Sequence, residues 1–144
     1  MLQVLTVTAA SELAEALALR RRVFVDEQGV PEQLELDAHD RPGADCHHVL
    51  ARLDGQPAGT ARYRTTEGGI KIERVAVEAG VRGRGVGLAI VMYILGELDG
   101  SDRPYVHAQA SAWGFWEHVG FVPRGPIFQE AAIDHRRMDY DRSP

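Results

Sequence analysis

Between residues 70 and 98 the chain reads as a strand, a sharp glycine turn and an apolar helix, in that order, and few folds accommodate the succession. The strand is Ile70-Lys71-Ile72-Glu73-Arg74-Val75-Ala76-Val77, and the turn is Val81-Arg82-Gly83-Arg84-Gly85-Val86-Gly87. Behind it runs Leu88-Ala89-Ile90-Val91-Met92-Tyr93-Ile94-Leu95. Glycines at alternate positions let the backbone turn tightly and leave no side chain between its amides and a ligand. The first amides of a helix have no partner inside it, and the helix dipole makes that end partly positive. Together they form a seat for an anion, suited to a phosphate.

Charge placement points the same way. Acidic residues are favoured at a helix start and basic ones at its end. Here Arg82 and Arg84 crowd the start, while Glu97 and Asp99 sit near the end. Local rules broken together mark functional sites, and an anion held by the arginines and free amides would remove the conflict. The plainer alternative is a glycine-rich connection with solvated arginines.

The chain has 144 residues, 44% of them hydrophobic, which suits one domain over 1–144 with a substantial core. No apolar run approaches the roughly 20 residues that span a bilayer, and Met1-Leu2-Gln3-Val4-Leu5-Thr6 lacks the pattern of a secretory signal. The single cysteine, Cys46, excludes an internal disulfide framework and fits a reducing cytosol, so a cytoplasmic location is expected. A formal net charge of −5 argues against a general nucleic-acid binder. The arginines are instead grouped locally, as Arg20-Arg21-Arg22, Arg62 and Arg64, Arg82 and Arg84, Arg136 and Arg137. That grouping suits a small anionic ligand better than a polyanion or a membrane surface.

Gln3 to Thr8 reads as a first strand. Thr8 or Ser11 is placed to cap the helix that follows, which carries Leu13, Leu17, Arg20 and Phe24 on one side and stops at Gly29 and Pro31. Residues 31–46 are acidic and rich in Pro, Gly and Asp, a surface loop of a length that is usually functional. His48 to Leu53 alternates as a strand, Asp54-Gly55 is a hairpin turn, and Gln56 to Thr65 returns. Gly68-Gly69 turns into strand 70–78. The helix Val86 to Leu98 is apolar nearly all round and should be buried against a sheet. A strand Tyr105 to Ala110 follows, then a short helix Ala112 to Val119, capped by Ser111 and closed by Gly120. Phe121 to Phe128 and Ile133 to Tyr140 form a last antiparallel pair. The class is α/β, with a mixed, mainly antiparallel central sheet and helices on both faces.

With these elements in place, the chain resembles the GNAT superfamily of acyl-CoA-dependent N-acyltransferases. That family's signature is Arg or Gln, any two residues, Gly, any residue, then Gly or Ala. Arg82-Gly83-Arg84-Gly85-Val86-Gly87 fits it fully. Arg22-Val23-Phe24-Val25-Asp26-Glu27-Gln28-Gly29, the stretch from Ala108-Gln109-Ala110 to Gly120-Phe121, and Ile133-Asp134-His135 with Met138 are similar to its ElaA-like branch. The resemblance implies acetyl-CoA as acyl donor and an amine as acceptor. The cofactor's diphosphate would rest on the amides of Arg82, Gly83, Arg84, Gly85, Val86 and Gly87. Its pantetheine arm would pair with the backbone of Val75, Ala76 and Val77 as an added half-strand. In this family that strand splays from the strand beginning near Tyr105, and Gln109, Ser111 and Phe115 line the arm from the other side. Oligomeric state stays open, a homodimer being one outcome.

An amine attacking a thioester needs a neutral nitrogen, a polarised carbonyl and a proton for the departing thiolate. Amides near Val75 can polarise the carbonyl, and a carboxylate or histidine can take the amine's proton. Glu27, Glu73, His107 and His135 are the candidates, with Glu27 and His135 also favoured for the substrate pocket. Alternation places Glu73 on the face of Val75, which a strand bulge would undo. Each also has an ordinary structural alternative, as a hydrogen-bonded strand histidine or a solvated glutamate. Many GNAT enzymes protonate the sulfur with a tyrosine after the aromatic of Ala-x-x-Phe-Tyr, and here Ala112-Trp113-Gly114-Phe115-Trp116 puts a tryptophan there. An indole N–H donates a hydrogen bond but does not shuttle protons near neutral pH. Trp116 therefore either stabilises the thiolate or packs the helix, and a non-catalytic acyl-CoA-binding or sensor module stands as the rival reading. Asp45-Cys46-His47-His48 has metal-ligand residue types too close in sequence to converge on one tetrahedral ion, so no metal is expected. Arg62, Arg64 and Arg74 either favour an anionic acceptor or are solvated or paired with Glu67 and Glu73.

Overall fold

A computed structural model describes residues 1–41 and 44–142; Pro42 and Gly43, within the acidic 31–46 stretch, lie outside the described residues. Strands β1 (Leu2–Thr6), β2 (His47–Leu53), β3 (Gln56–Thr66), β4 (Gly69–Val77), β5 (Pro104–Gln109), β6 (Phe121–Glu130) and β7 (Ile133–Tyr140) are joined in the order β1-β2-β3-β4-β5-β7-β6. The sheet is mixed and mainly antiparallel, with a parallel step between β4 and β5. The described residues fall into two compact units, those within Met1–Arg64 together with Arg74–Leu98, and Thr65–Glu73 together with 99–142.

In the first unit, helix α1 (Ala10–Arg20) begins without a side-chain cap from Thr8 or Ser11. Glu12 does that work instead. Its carboxylate accepts from the amides of Thr8 and Ala9 at 2.8 and 2.9 Å, and those bonds hold its pKa below the usual range. The helix then widens into a π-helical segment, Arg21–Glu27, a form common at functional positions. The hairpin turn is as expected, with Asp54 and Gly55 at φ 51° and 84°. Strand β2 does not alternate as expected: His48, Val49, Leu50 and Ala51 are all buried, the pattern of a strand covered on both faces. Helix α3 (Val86–Glu97) buries Val86, Ile90, Val91, Ile94 and Leu95 and leaves Met92 half exposed. Gly59 of β3 lets α3 approach, since a Cβ there would stand 2.7 Å from Ile90 Cδ1 and 2.8 Å from Val86 Cγ1.

The acidic stretch is tied down rather than loose. It contains a short helix, α2 (Glu32–Glu35), and its carboxylates meet buried arginines. Arg20 binds Glu35 at 2.6 Å and Asp40 at 2.6 and 3.0 Å. Arg62 binds Asp37 at 2.7 and 2.8 Å and Asp40 at 2.7 Å. Both guanidinium side chains are about 2% exposed or less. Arg74 lies 3.7 Å from Asp37, so the same carboxylate faces a second arginine.

In the second unit Tyr105, Val106 and Ala108 of β5, Met138 of β7 and Phe121 of β6 are buried. Its helix α4 (Trp113–Val119) starts after a 3-10 turn at Ala110–Ala112, with no cap from Ser111, and ends at Gly120, φ 119°. The last hairpin is longer than expected, because β6 runs to Glu130 and turns through Ala131 and Ala132.

Candidate functional site

Each unit contributes one concentration of functional residue types. In the first it is the connection from β4 to α3. Val77 ends the strand, a 3-10 turn spans Ala79–Val81, and Gly83 and Gly85 both take φ 81°, the left-handed region open to glycine. Gly85 is the N-cap of α3, supplies no side-chain cap, and no acidic residue stands in the first turn. Among the described residues the amides of Gly83, Arg84 and Gly85 donate no backbone hydrogen bond. A Cβ at Gly83 or Gly85 would meet nothing within 4 Å, so there is open space where a side chain would stand. Three successive amides without a backbone partner are donors of the kind that suits a diphosphate.

The arginines of this connection are not alike. Arg82 donates from Nε to the Val77 carbonyl at 3.1 Å and forms a two-pronged ion pair with Glu27 of the π-helical segment, one prong at 2.7 Å. Arg22, from the same segment, grips Glu78 at 2.7 to 3.1 Å. The charge conflict at the start of α3 is thus partly relieved by Glu27. The Arg82 bonds hold the Glu27 carboxyl below the usual carboxylate range, which makes it a poor proton acceptor. Glu27 stands as a partner of the loop arginine. Arg84 is exposed.

Upstream, Arg74 takes φ 56° inside β4. A left-handed non-glycine residue there costs on the order of 1–3 kcal/mol and marks functional sites. It also breaks the pleat between Glu73 and Val75, so alternation no longer puts the two on one face. Ala76 is buried with Leu19 and Val23, so only its backbone remains for a ligand; Val75 and Val77 are half-buried.

In the second unit, register places Lys71 opposite Tyr105, His107 opposite Arg137, Gln109 opposite His135 and Phe128 opposite His135. Side chains two apart on a strand share a face. Lys71, Glu73, His107, Gln109, Phe128, Glu130 and His135 therefore lie on one face of this half of the sheet. Lys71 and Glu73 pair at 3.5 Å. The Glu130 carboxylate lies 3.8 Å from His107 Nδ1 and 3.5 Å from His135 Nε2, and His135 Nδ1 is 2.8 Å from the Ile133 carbonyl. The Phe128 ring meets His107 edge-on, with centroids 5.1 Å apart, and stacks with His135 at 6.0 Å.

Residues 8–142 match the family model described as an acetyltransferase (GNAT) domain. The chain belongs to the GNAT acetyltransferases. It is 32% identical over 136 residues to the protein ElaA of Escherichia coli, covering 90% of this chain and 88% of ElaA. The crystal structure of E. coli ElaA superposes with a TM-score of 0.85 at 26% identity, over 98% of this chain and 100% of that one. An acyl-CoA N-acyltransferase from Pseudomonas aeruginosa superposes with the same TM-score at 30% identity, over 98% of this chain and 100% of its own.

In this GNAT domain Trp116 is 6% exposed, its ring edge-on to Phe115 at 5.1 Å and to Phe121 at 5.0 Å. That is a core position. The neighbouring Trp113 donates its indole N–H to the Ala108 carbonyl at 2.7 Å, tying α4 to β5. Ser111 is exposed, and Gln109 and Phe115 are half-buried. The sequence reasoning missed Glu130 and Phe128. The expected strand ends at Phe128, short of Glu130, because the turn Ala131-Ala132 carries no glycine or asparagine to announce it. It also missed the buried pairing of Arg20 and Arg62, although Glu35, Asp37 and Asp40 supplied the signal. Among the described residues no group of three His, Cys, Asp or Glu side chains is placed to hold a metal ion, and no helix is long and apolar enough to cross a membrane.

Proposed function

We propose that the protein is a cytoplasmic N-acetyltransferase that moves the acetyl group of acetyl-CoA directly to an amine of a small molecule or peptide. The observation that carries this is the run of amides from Gly83 to Gly85 that donate no backbone hydrogen bond, at the start of a helix whose first turn holds no acidic residue. Arg82, Gly83, Arg84, Gly85, Val86 and Gly87 would hold the diphosphate. The backbone of Val75, Ala76 and Val77 would receive the pantetheine arm, with Gln109, Ser111 and Phe115 as further contacts.

The bound thioester supplies an activated acyl carbon, and the protein's part is to orient it, polarise its carbonyl and manage protons. An amide near Val75, beside the left-handed Arg74, is the donor for the carbonyl oxygen. The buried packing of Trp116 supports a structural role for it, leaving the sulfur to be protonated by water or another side chain.

That same observation favours one rival reading, a non-catalytic acyl-CoA-binding or sensor module. A panel of amines incubated with acetyl-CoA and assayed for free CoA separates the two. Release that depends on an added amine is the expected result. Tight CoA binding with no release on any amine would overturn catalysis in favour of the module.

A further inference from the structure

We propose that Glu27 is a built-in competitor for the diphosphate: its carboxylate holds Arg82, and an acyl-CoA binds by taking that guanidinium over, a phosphate replacing the carboxylate. This rests on the acetyltransferase reading and adds to it a regulation of the same loop.

Arg82 has its donors engaged within the chain. Nε donates to the Val77 carbonyl at 3.1 Å, and the two terminal nitrogens form the two-pronged pair with Glu27, one prong at 2.7 Å. A guanidinium grips carboxylate and phosphate through the same planar fork, so Glu27 sits on Arg82 as a phosphate would. The side chain that precedes the amides of Gly83, Arg84 and Gly85 is thus already holding an anion. That anion comes from the π-helical segment, 55 positions away, while the first turn of α3 holds no acidic residue of its own. Arg82 also engages the Val77 carbonyl, one of the backbone groups assigned to the pantetheine arm.

The contact is placed where it can open. Arg82 is 41% exposed and Glu27 40%, and an exposed ion pair contributes little to stability. The segment Arg21–Glu27 does not depend on it. Arg22 ties the segment to Glu78 at 2.7 to 3.1 Å. Its main chain is held by bonds from the Gln28 amide to the Val23 carbonyl and from the Gly29 amide to the Val25 carbonyl, both 3.1 Å. Glu27 can therefore let go of Arg82 while the segment stays fastened to the end of β4.

Charge sets the direction of the exchange. Hydrogen bonds from Arg82 hold the Glu27 pKa below the ordinary 4.5, so the carboxylate is ionised near pH 7. Around the pair, Glu78 acts on Arg82, and Asp26 and Glu78 act on Arg22. With Glu27 in place the charge of Arg82 is cancelled, and an incoming anion meets it in full only once Glu27 has left. A diphosphate brings two negative charges against one and adds the loop amides as donors, so it displaces the carboxylate. Arg82 trades carboxylate oxygens for phosphate oxygens, and no proton moves.

Calorimetry of CoA reads this exchange directly; transfer rates with acetyl-CoA in excess do not, because a saturated donor hides its affinity. Glu27→Gln removes the competitor and should tighten CoA binding about two- to fivefold. Arg82→Gln should weaken it. Glu27→Gln added to Arg82→Gln should gain less than it does in wild type, since no guanidinium is left to release. A carbon-13 NMR titration of the Glu27 carboxyl gives a second readout. Its midpoint, below 4.5 before CoA is added, should rise in the complex, because the Arg82 bonds that depress it are gone. That titration uses wild type alone, so the test stands should a variant fail to fold. Affinity equal or weaker in Glu27→Gln, a gain as large in the Arg82→Gln background, or a midpoint unmoved by CoA overturns the exchange while CoA binding stands. No uptake of CoA by folded wild type overturns the reading of the loop and this proposal with it.

Discussion

Arg20 and Arg62 differ from Arg82 and Arg84 in what surrounds them, although in the sequence both pairs look like arginines awaiting an anion. Arg20 and Arg62 are sealed under the acidic segment, where Glu35, Asp37 and Asp40 satisfy them. Arg82 lies at the surface, about 40% exposed, with Glu27 as a partner of equal exposure, and Arg84 is exposed on the glycine loop. A buried ion pair cannot be opened without leaving a charge in a medium that penalises it, whereas an exposed one exchanges partners at little cost. Arginines of the first kind build the fold, and those of the second kind are available to a ligand.

The largest effect should come from breaking the sealed set. Arg62→Met leaves Asp37 and Asp40 short of a partner and should destabilise the protein by about 3–5 kcal/mol. Thermal unfolding should register a Tm lower by roughly 10 °C or more; a shift of a degree or two would mean the network is not what fastens the acidic segment.

Acid should act on the same set. Burial pushes the carboxyls of Asp37 and Asp40 up, but hydrogen bonds from Arg62 to the first and Arg20 to the second outweigh it, so both pKa values lie below the ordinary 3.8. A carboxylate with a depressed folded-state pKa contributes stability above its unfolded value and loses it as pH falls below that value. Melting curves should therefore show wild-type Tm dropping steeply below pH 3.8, and Arg62→Met should flatten that drop.

Smaller effects belong to the exposed set. Arg84→Gln should leave Tm unchanged and weaken CoA binding by a few-fold, with a shallower salt dependence, since a screened surface charge contributes little in place. Glu27→Gln should shift neither Tm nor acetyl transfer appreciably. Loss of transfer there, with CoA binding kept, would restore Glu27 as a base.

Much of the fold was legible because it rests on local signals. The Asp54-Gly55 turn, the Gly120 stop and the apolar run of α3 each announce themselves. What stayed hidden depended on long-range pairing or on backbone states without a sequence mark. Thr8 and Ser11 looked like caps, but Glu12 reaches back to the same amides first. Residues 31–46 looked like loop because pairing of Asp37 and Asp40 with Arg62 spans more than 20 positions. Nothing in Arg74, Ala131 or Ala132 advertises a positive φ. The candidate site divides likewise: the glycine loop was readable, whereas Glu130 became visible only once β6 and β7 were in register.

The central claim is that the bare amides between Gly83 and Gly85 receive the diphosphate of CoA. Isothermal calorimetry of CoA against wild type and Gly85→Val tests it most directly, because a valine there has room for its Cβ yet resists the left-handed φ of 81°. The account predicts binding to wild type and at least a tenfold loss in the variant, about 1.4 kcal/mol. No heat of binding with folded wild type, or equal affinity in the two proteins, would contradict it.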